Sequence, residues 1–141
     1  MIPIPYQAAS RPQLLLPLFC SRVPAGFPSP ADDYLEAKLD LVELLVSDPA
    51  ATFMVRVRGD SMSGAGIGTG DILIVDRSIP PAHGMIVLAI VDGEFTVKRL
   101  YRRGTRVALI PENPHYQPIE LHDGQELQIW GVIKSCIKQF C

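Results

Sequence analysis

Met85-Ile86-Val87-Leu88-Ala89-Ile90-Val91-Asp92-Gly93-Glu94-Phe95-Thr96-Val97-Lys98-Arg99-Leu100-Tyr101 is the stretch on which the fold turns. An apolar run from Met85 to Val91 meets Asp92-Gly93 and continues at once into Glu94 to Tyr101. Asp-Gly between two strand-forming runs signals a two-residue hairpin, whose central residues both need positive φ. On the N-terminal side, Thr52 to Arg58 alternates, with Phe53, Val55 and Val57 on one side, and Asp71 to Asp76 is a short apolar run suited to a buried strand. On the C-terminal side, Thr105 to Ile110 and Leu127 to Cys136 complete the set. Short strands spaced by Gly, Pro and Asp turns predict a mostly β chain, a compact β-sandwich or partly closed barrel of short strands. An extended N-terminal arm and one short helix complete the expected architecture, and no internal repeat is evident.

The arm is set by its prolines. Residues 1 to 30 carry seven: Pro3, Pro5, Pro12, Pro17, Pro24, Pro28 and Pro30. Proline removes backbone donors and excludes helix around it, so this segment is expected to be extended. Leu14, Leu15, Leu16, Leu18, Phe19, Val23 and Phe27 make it sticky rather than merely solvated. Such an arm suits lying along a surface, its own or a partner's. The helix is expected just after it. Asp40-Leu41-Val42-Glu43 has the spacing of a capping box, Leu41, Leu44 and Leu45 share a face, and Pro49 closes the run. Ala31 to Lys38 reads as irregular or partly helical. The division is an arm of residues 1–45 and a β domain of residues 46–141.

Composition excludes several classes. The chain has 141 residues, 48% hydrophobic and 20% charged, long enough to bury a core without staples. A net charge of −2 does not favour wrapping nucleic acid or lying on an anionic membrane. Cys20, Cys136 and Cys141 have no metal-ligand spacing, and their odd number argues against a closed disulfide framework. They are expected to be apolar fillers or tail residues in a reducing compartment. No metal or cofactor is implied. Leu14-Leu15-Leu16 is interrupted by Pro17, too short and broken for a membrane span and without a cationic leader before it. Cytoplasmic residence is the expectation.

Two residues carry candidate chemistry. Ser61, in Arg58-Gly59-Asp60-Ser61-Met62, ends an apolar strand and precedes a loop with Gly64, Gly66, Gly68 and Gly70. That loop is no phosphate cradle, because a strand rather than a helix follows and no Lys-Ser or Lys-Thr closes it. Its glycines let a peptide backbone approach, and the Ser61 amide is a candidate oxyanion donor. A serine needs a neighbour to take its proton. His83, His115 and His122 all stand in turns and are expected to be solvent-facing. Lys98 stands mid-strand, sharing a face with Thr96 and Leu100. A lysine there is either a solvent-facing edge residue or, if buried, a base. Bringing its pKa from roughly 10.4 to about 7 takes roughly 4–5 kcal/mol of differential desolvation.

At these residues the chain resembles the UmuD proteins, members of the LexA-like self-cleaving serine peptidases. The segments that carry the resemblance are Phe27-Pro28-Ser29-Pro30-Ala31, Gly59-Asp60-Ser61-Met62, Gly70-Asp71-Ile72-Leu73-Ile74-Val75-Asp76 and Asp92-Gly93-Glu94-Phe95-Thr96-Val97-Lys98. It extends from about Phe19 to Val132. The resemblance implies that Ser61 is the nucleophile and Lys98 the general base. It implies a cleavage site at Ala25-Gly26, within Val23-Pro24-Ala25-Gly26-Phe27, where UmuD members often carry Cys-Gly and LexA-type members Ala-Gly. It also implies stimulation by a RecA filament on single-stranded DNA. The processed product would form a homodimer and join a UmuC-like Y-family polymerase subunit in translesion synthesis during the SOS response. About 30 proline-rich residues cannot form the helix-turn-helix of LexA-type repressors, so direct sequence-specific DNA binding is not expected.

Two other readings stand beside this one. A non-catalytic dimeric binding module would use the arm as a tether for a polymerase partner, with Ser61 and Lys98 as relics. A signal peptidase would use the same dyad on secreted chains, but the expected lack of a membrane anchor weighs against it.

Overall fold

A computed structural model describes residues 3–5, 13–19, 35–122 and 127–141. The Asp92-Gly93 hairpin forms as expected. Asp92 takes φ +50° and Gly93 φ +85°, and they join β6 (Ile86–Val91) to β7 (Glu94–Arg103) in the register Val91↔Glu94. The other expected strands are β4 (Thr52–Arg56), β5 (Ile72–Asp76), β8 (Arg106–Ile110) and β10 (Leu127–Ile137). Two short strands, β1 (Pro3–Pro5) and β9 (Ile119–Glu120), complete one antiparallel sheet in the order β1-β4-β5-β10-β6-β7-β8-β9. Its outermost strands are β1, carrying two prolines where unpaired edge positions tolerate them, and β9. The sheet is therefore not closed into a barrel.

The rest of the arm differs in part from expectation. Leu35–Asp40 forms a strand, β3, rather than an irregular or partly helical segment. It pairs antiparallel with β2 (Leu15–Phe19) as a separate two-stranded sheet. That pairing supplies backbone partners that the local sequence does not announce, and it decides the conformation. Asp40 then caps α1 (Leu41–Leu45), its carboxylate accepting from the Val42 amide at 3.0 Å and the Glu43 amide at 3.3 Å. The helix ends at Leu45, with Val46 as its C-terminal cap, ahead of Pro49. Leu44 remains half exposed, while Leu41, Val42, Leu45 and Val46 line an apolar recess beside Met54 and Ile74 of the sheet.

Strand order alone would keep β4 and β7 apart. Three strands intervene, so a flat sheet would separate them by about 19 Å at roughly 4.8 Å per step. Instead the sheet curls around a core shared by Phe53 and Val55 of β4, Leu73 and Val75 of β5, Leu88 of β6 and Val97 of β7. Val57, Met62 and Ile67 from the connection after β4 enter the same core. A second cluster gathers Val87, Ala89, Leu100, Leu109 and Val132. On β6 and β7 the alternation of side chains divides the two clusters, with Leu88 and Val97 in one, Val87, Ala89 and Leu100 in the other. The curl brings the connection following β4 onto β7.

Candidate active site

The chain leaves β4 through Val57, whose amide donates to the Asp71 carbonyl at 2.8 Å and whose carbonyl accepts from the Gly70 amide at 3.0 Å. These bonds pinch the base of the glycine-containing loop. Thr69 Oγ1 then accepts from the Gly59 amide at 3.0 Å and donates to the Gly59 carbonyl at 3.1 Å. Met62 and Ile67 are buried, so the loop is anchored by side chains as well. Ser61 sits between the pinch and these anchors.

The structure brings Ser61 and Lys98 together. Lys98 Nζ lies 2.9 Å from Ser61 Oγ, 2.6 Å from Thr96 Oγ1 and 3.1 Å from the Val97 carbonyl oxygen. Lys98 is 8% exposed, so the solvent-facing alternative is excluded. Burial pushes its pKa below the ordinary lysine value of 10.5, because the ammonium loses hydration. Among the described residues, none of those lining the surrounding cleft of about 150 Å³ is acidic: Val57, Arg58, Gly59, Ser61, Met62, Ile67, Phe95, Thr96, Val97 and Lys98. A carboxylate there would favour the charged form, and among the described residues desolvation stands unopposed.

Lys98 Nζ is placed to donate to all three oxygens as an ammonium, and a neutral amine fits the same position. Two N–H groups can donate to Thr96 Oγ1 and the Val97 carbonyl, leaving the lone pair for the Ser61 hydroxyl proton. Among the described residues the Ser61 amide donates to no backbone carbonyl, so it is available to a ligand in the cleft. Ala25 and Gly26 lie outside the described residues.

The histidines stay apart from this pair. His83 Nδ1 accepts from the Arg102 amide at 3.1 Å, and its ring packs edge-on against Tyr101 at 5.0 Å. The His115 amide donates to Asn113 Oδ1 within a turn, and His122 is exposed. Cys136 and Cys141 are exposed free thiols, so neither fills the core.

The turn before His115 grips the serine loop from outside, a role that its local sequence does not announce. The Glu112 amide donates to the Ser61 carbonyl at 2.9 Å, and the Gly64 amide donates to the Glu112 carbonyl at 2.7 Å. Asn113 Nδ2 donates to the Asp60 carbonyl at 2.9 Å, and the Tyr116 hydroxyl donates to Asp60 Oδ1 at 2.5 Å. Pro111-Glu112-Asn113-Pro114 reads locally as a polar turn and nothing more. Its partners lie about fifty residues away in the chain, as the 53-residue separation of Asp60 and Asn113 shows.

The chain is similar to known proteins over most of its length. Residues 17–134 match the peptidase S24-like family. Protein SamA of Salmonella typhimurium is 50% identical over 125 residues, covering 89% of this chain and 86% of that protein. Protein ImpA of Escherichia coli is 49% identical over 123 residues, covering 86% of this chain and 82% of that protein. The LexA repressor of Bordetella avium is 41% identical over 130 residues, which cover 92% of this chain but 60% of the repressor. On that match and those relatives, the chain belongs to the peptidase S24-like family as a UmuD/LexA-like member.

Proposed function

We propose that the protein is a self-cleaving serine peptidase with a Ser61–Lys98 dyad that cuts its own arm, residues 1–45, at Ala25-Gly26. The observation that carries this reading is the 2.9 Å approach of a buried, desolvated lysine to a serine hydroxyl beside an open cleft. Neutral Lys98 takes the Ser61 proton as Oγ attacks the Ala25 carbonyl carbon. The oxyanion that forms is met by the Ser61 amide. As the C–N bond breaks, the protonated Lys98 returns its proton to the Gly26 nitrogen, leaving an ester on Ser61. Water, deprotonated by Lys98, then hydrolyses that ester. The scissile bond suits the cleft, because Ala25 and Gly26 carry little side chain and Pro24 favours an extended approach.

The same reading gives the cleavage its context. A RecA filament on single-stranded DNA stimulates the cut in a bacterial cytoplasm. The product, Gly26 to Cys141, forms a homodimer and serves a UmuC-like Y-family polymerase in translesion synthesis. Support for this context is the UmuD-like character of the relatives. Among the described residues no helix is long and apolar enough to cross a membrane. The test is incubation of the purified chain with an activated RecA filament, followed by intact-mass spectrometry. The expected result is a fragment beginning at Gly26. An intact chain after prolonged incubation, or a cut elsewhere, overturns the assignment.

A further inference from the structure

We propose that Arg99 and Glu112 form a positioning clamp that fixes the Ser61 loop against the strand carrying Lys98. This rests on the reading of Ser61 as the nucleophile. Lys98 and Arg99 are neighbours on β7, so their side chains leave the strand on opposite sides. Lys98 reaches Ser61 directly. Arg99 reaches it indirectly: its Nε donates to Glu112 Oε1 at 2.6 Å, and its NH1 donates to the Gly84 carbonyl at 2.6 Å. The Glu112 main chain in turn holds the nucleophile and the turn that follows it, donating to the Ser61 carbonyl and accepting from the Gly64 amide.

The register explains how Glu112 comes to be there. Arg99 pairs with Ile110 of β8, so the chain leaves β8 beside Arg99 and brings Glu112 within reach two residues later. One strand thus holds the serine loop by two independent links, one through the base and one through the clamp. Gly64 is part of the fit, since a Cβ at that position would stand 2.6 Å from the Glu112 carbonyl oxygen.

The clamp is poorly suited to a role in stability alone. Its partners are 38% and 34% exposed, and pairs at that exposure add little to folding. What the pair does is limit where a loop can move. An Arg guanidinium suits this, because its rigid fork holds a carboxylate and a carbonyl together. Displacement of a nucleophile by about 1 Å is enough to lower a rate by about 100-fold.

The test measures self-cleavage across pH, and labelling of Ser61 by a fluorophosphonate, in the full-length chain. Arg99→Ala and Glu112→Ala are each expected to lower both rates by about 10- to 100-fold. The double variant should fall no further than either single one, because both break the same link. Glu112→Gln keeps an acceptor for Arg99 Nε and is expected to stay within about threefold of wild type. The midpoint of the pH–rate curve stays in place in every variant, since the clamp moves the serine without drying or wetting the lysine. Wild-type rates in Arg99→Ala and Glu112→Ala, or loss accompanied by a shifted midpoint, overturn the clamp. So does a Glu112→Gln variant as slow as Glu112→Ala. Ser61→Ala is the control for the underlying reading: if it is cut at the wild-type rate, the dyad is wrong whatever the clamp variants do.

Discussion

Lys98 Nζ stands 2.9 Å from Ser61 Oγ although 37 residues separate them and three strands intervene between β4, which leads to Ser61, and β7. The contact depends on the curl of the sheet, which depends in turn on the core packed against its concave side. Core, curl and the Ser61–Lys98 contact depend on one another, so disturbance of the core is expected to reach the contact.

The first consequence concerns pH. Only the neutral amine can accept the Ser61 proton, and burial lowers the Lys98 pKa from 10.5. Unassisted cleavage is therefore expected to rise by roughly tenfold per pH unit below that lowered pKa and to level off above it. First-order rates from pH 6 to pH 10 check this. A rate that stays flat throughout, or that falls as pH rises, is inconsistent with a lysine base.

The same burial has a price in stability. Between the lowered folded pKa and 10.5 the unfolded chain binds more protons than the folded one, so this group makes stability rise with pH there. Below the folded pKa the whole penalty is present. Lys98→Met removes the titrating group, so it is expected to raise the melting temperature at pH 7 and to abolish cleavage. The rise in stability with pH across the window should also flatten. A variant that melts lower than wild type at pH 7 would show that the amine's hydrogen bonds outweigh its desolvation.

Gly64 touches the Glu112 carbonyl closely enough that any side chain must displace something. Gly64→Ala should cost about 1–3 kcal/mol, the usual range for forcing a methyl into a filled space. It should also slow cleavage, because the displaced bond is one of the two by which the Glu112 main chain holds the serine loop. Urea unfolding and cleavage rates test both halves. Unchanged values in both would mean that the loop yields freely.

Asp40 joins two parts of the molecule. Its Oδ1 accepts from the Val42 and Glu43 amides of α1 and from the Leu14 amide of the arm at 3.3 Å. Asp40→Ala is expected to cost about 1 kcal/mol in urea unfolding. An unchanged midpoint would show that the cap and the arm contact carry no weight.

Legibility in the sequence followed the range of the interactions. The hairpin at Asp92-Gly93 and the cap at Asp40 are local, and both were readable from a few residues. The alternation Phe53, Val55, Val57 correctly identified a core-facing side, because a single strand carries that pattern. Leu35–Asp40 was not readable as a strand, because its partner Leu15–Phe19 lies across the proline-rich segment. Ser61 and Lys98 could be named as candidates, but whether Lys98 was buried could not be settled from its own strand. Glu112, Asn113 and Tyr116 were missed altogether. Each acts through contacts with residues far away in the chain, and a polar turn looks the same whether or not it grips the loop of Ser61.

The central claim is that Ser61 attacks with Lys98 as its base. Its most direct test is the rate of unassisted self-cleavage at alkaline pH in wild type, Ser61→Ala and Lys98→Ala, each confirmed as folded by circular dichroism. The account predicts a fragment beginning at Gly26 from wild type and an intact chain from both variants. Cleavage of either folded variant at Ala25-Gly26 at the wild-type rate would contradict it.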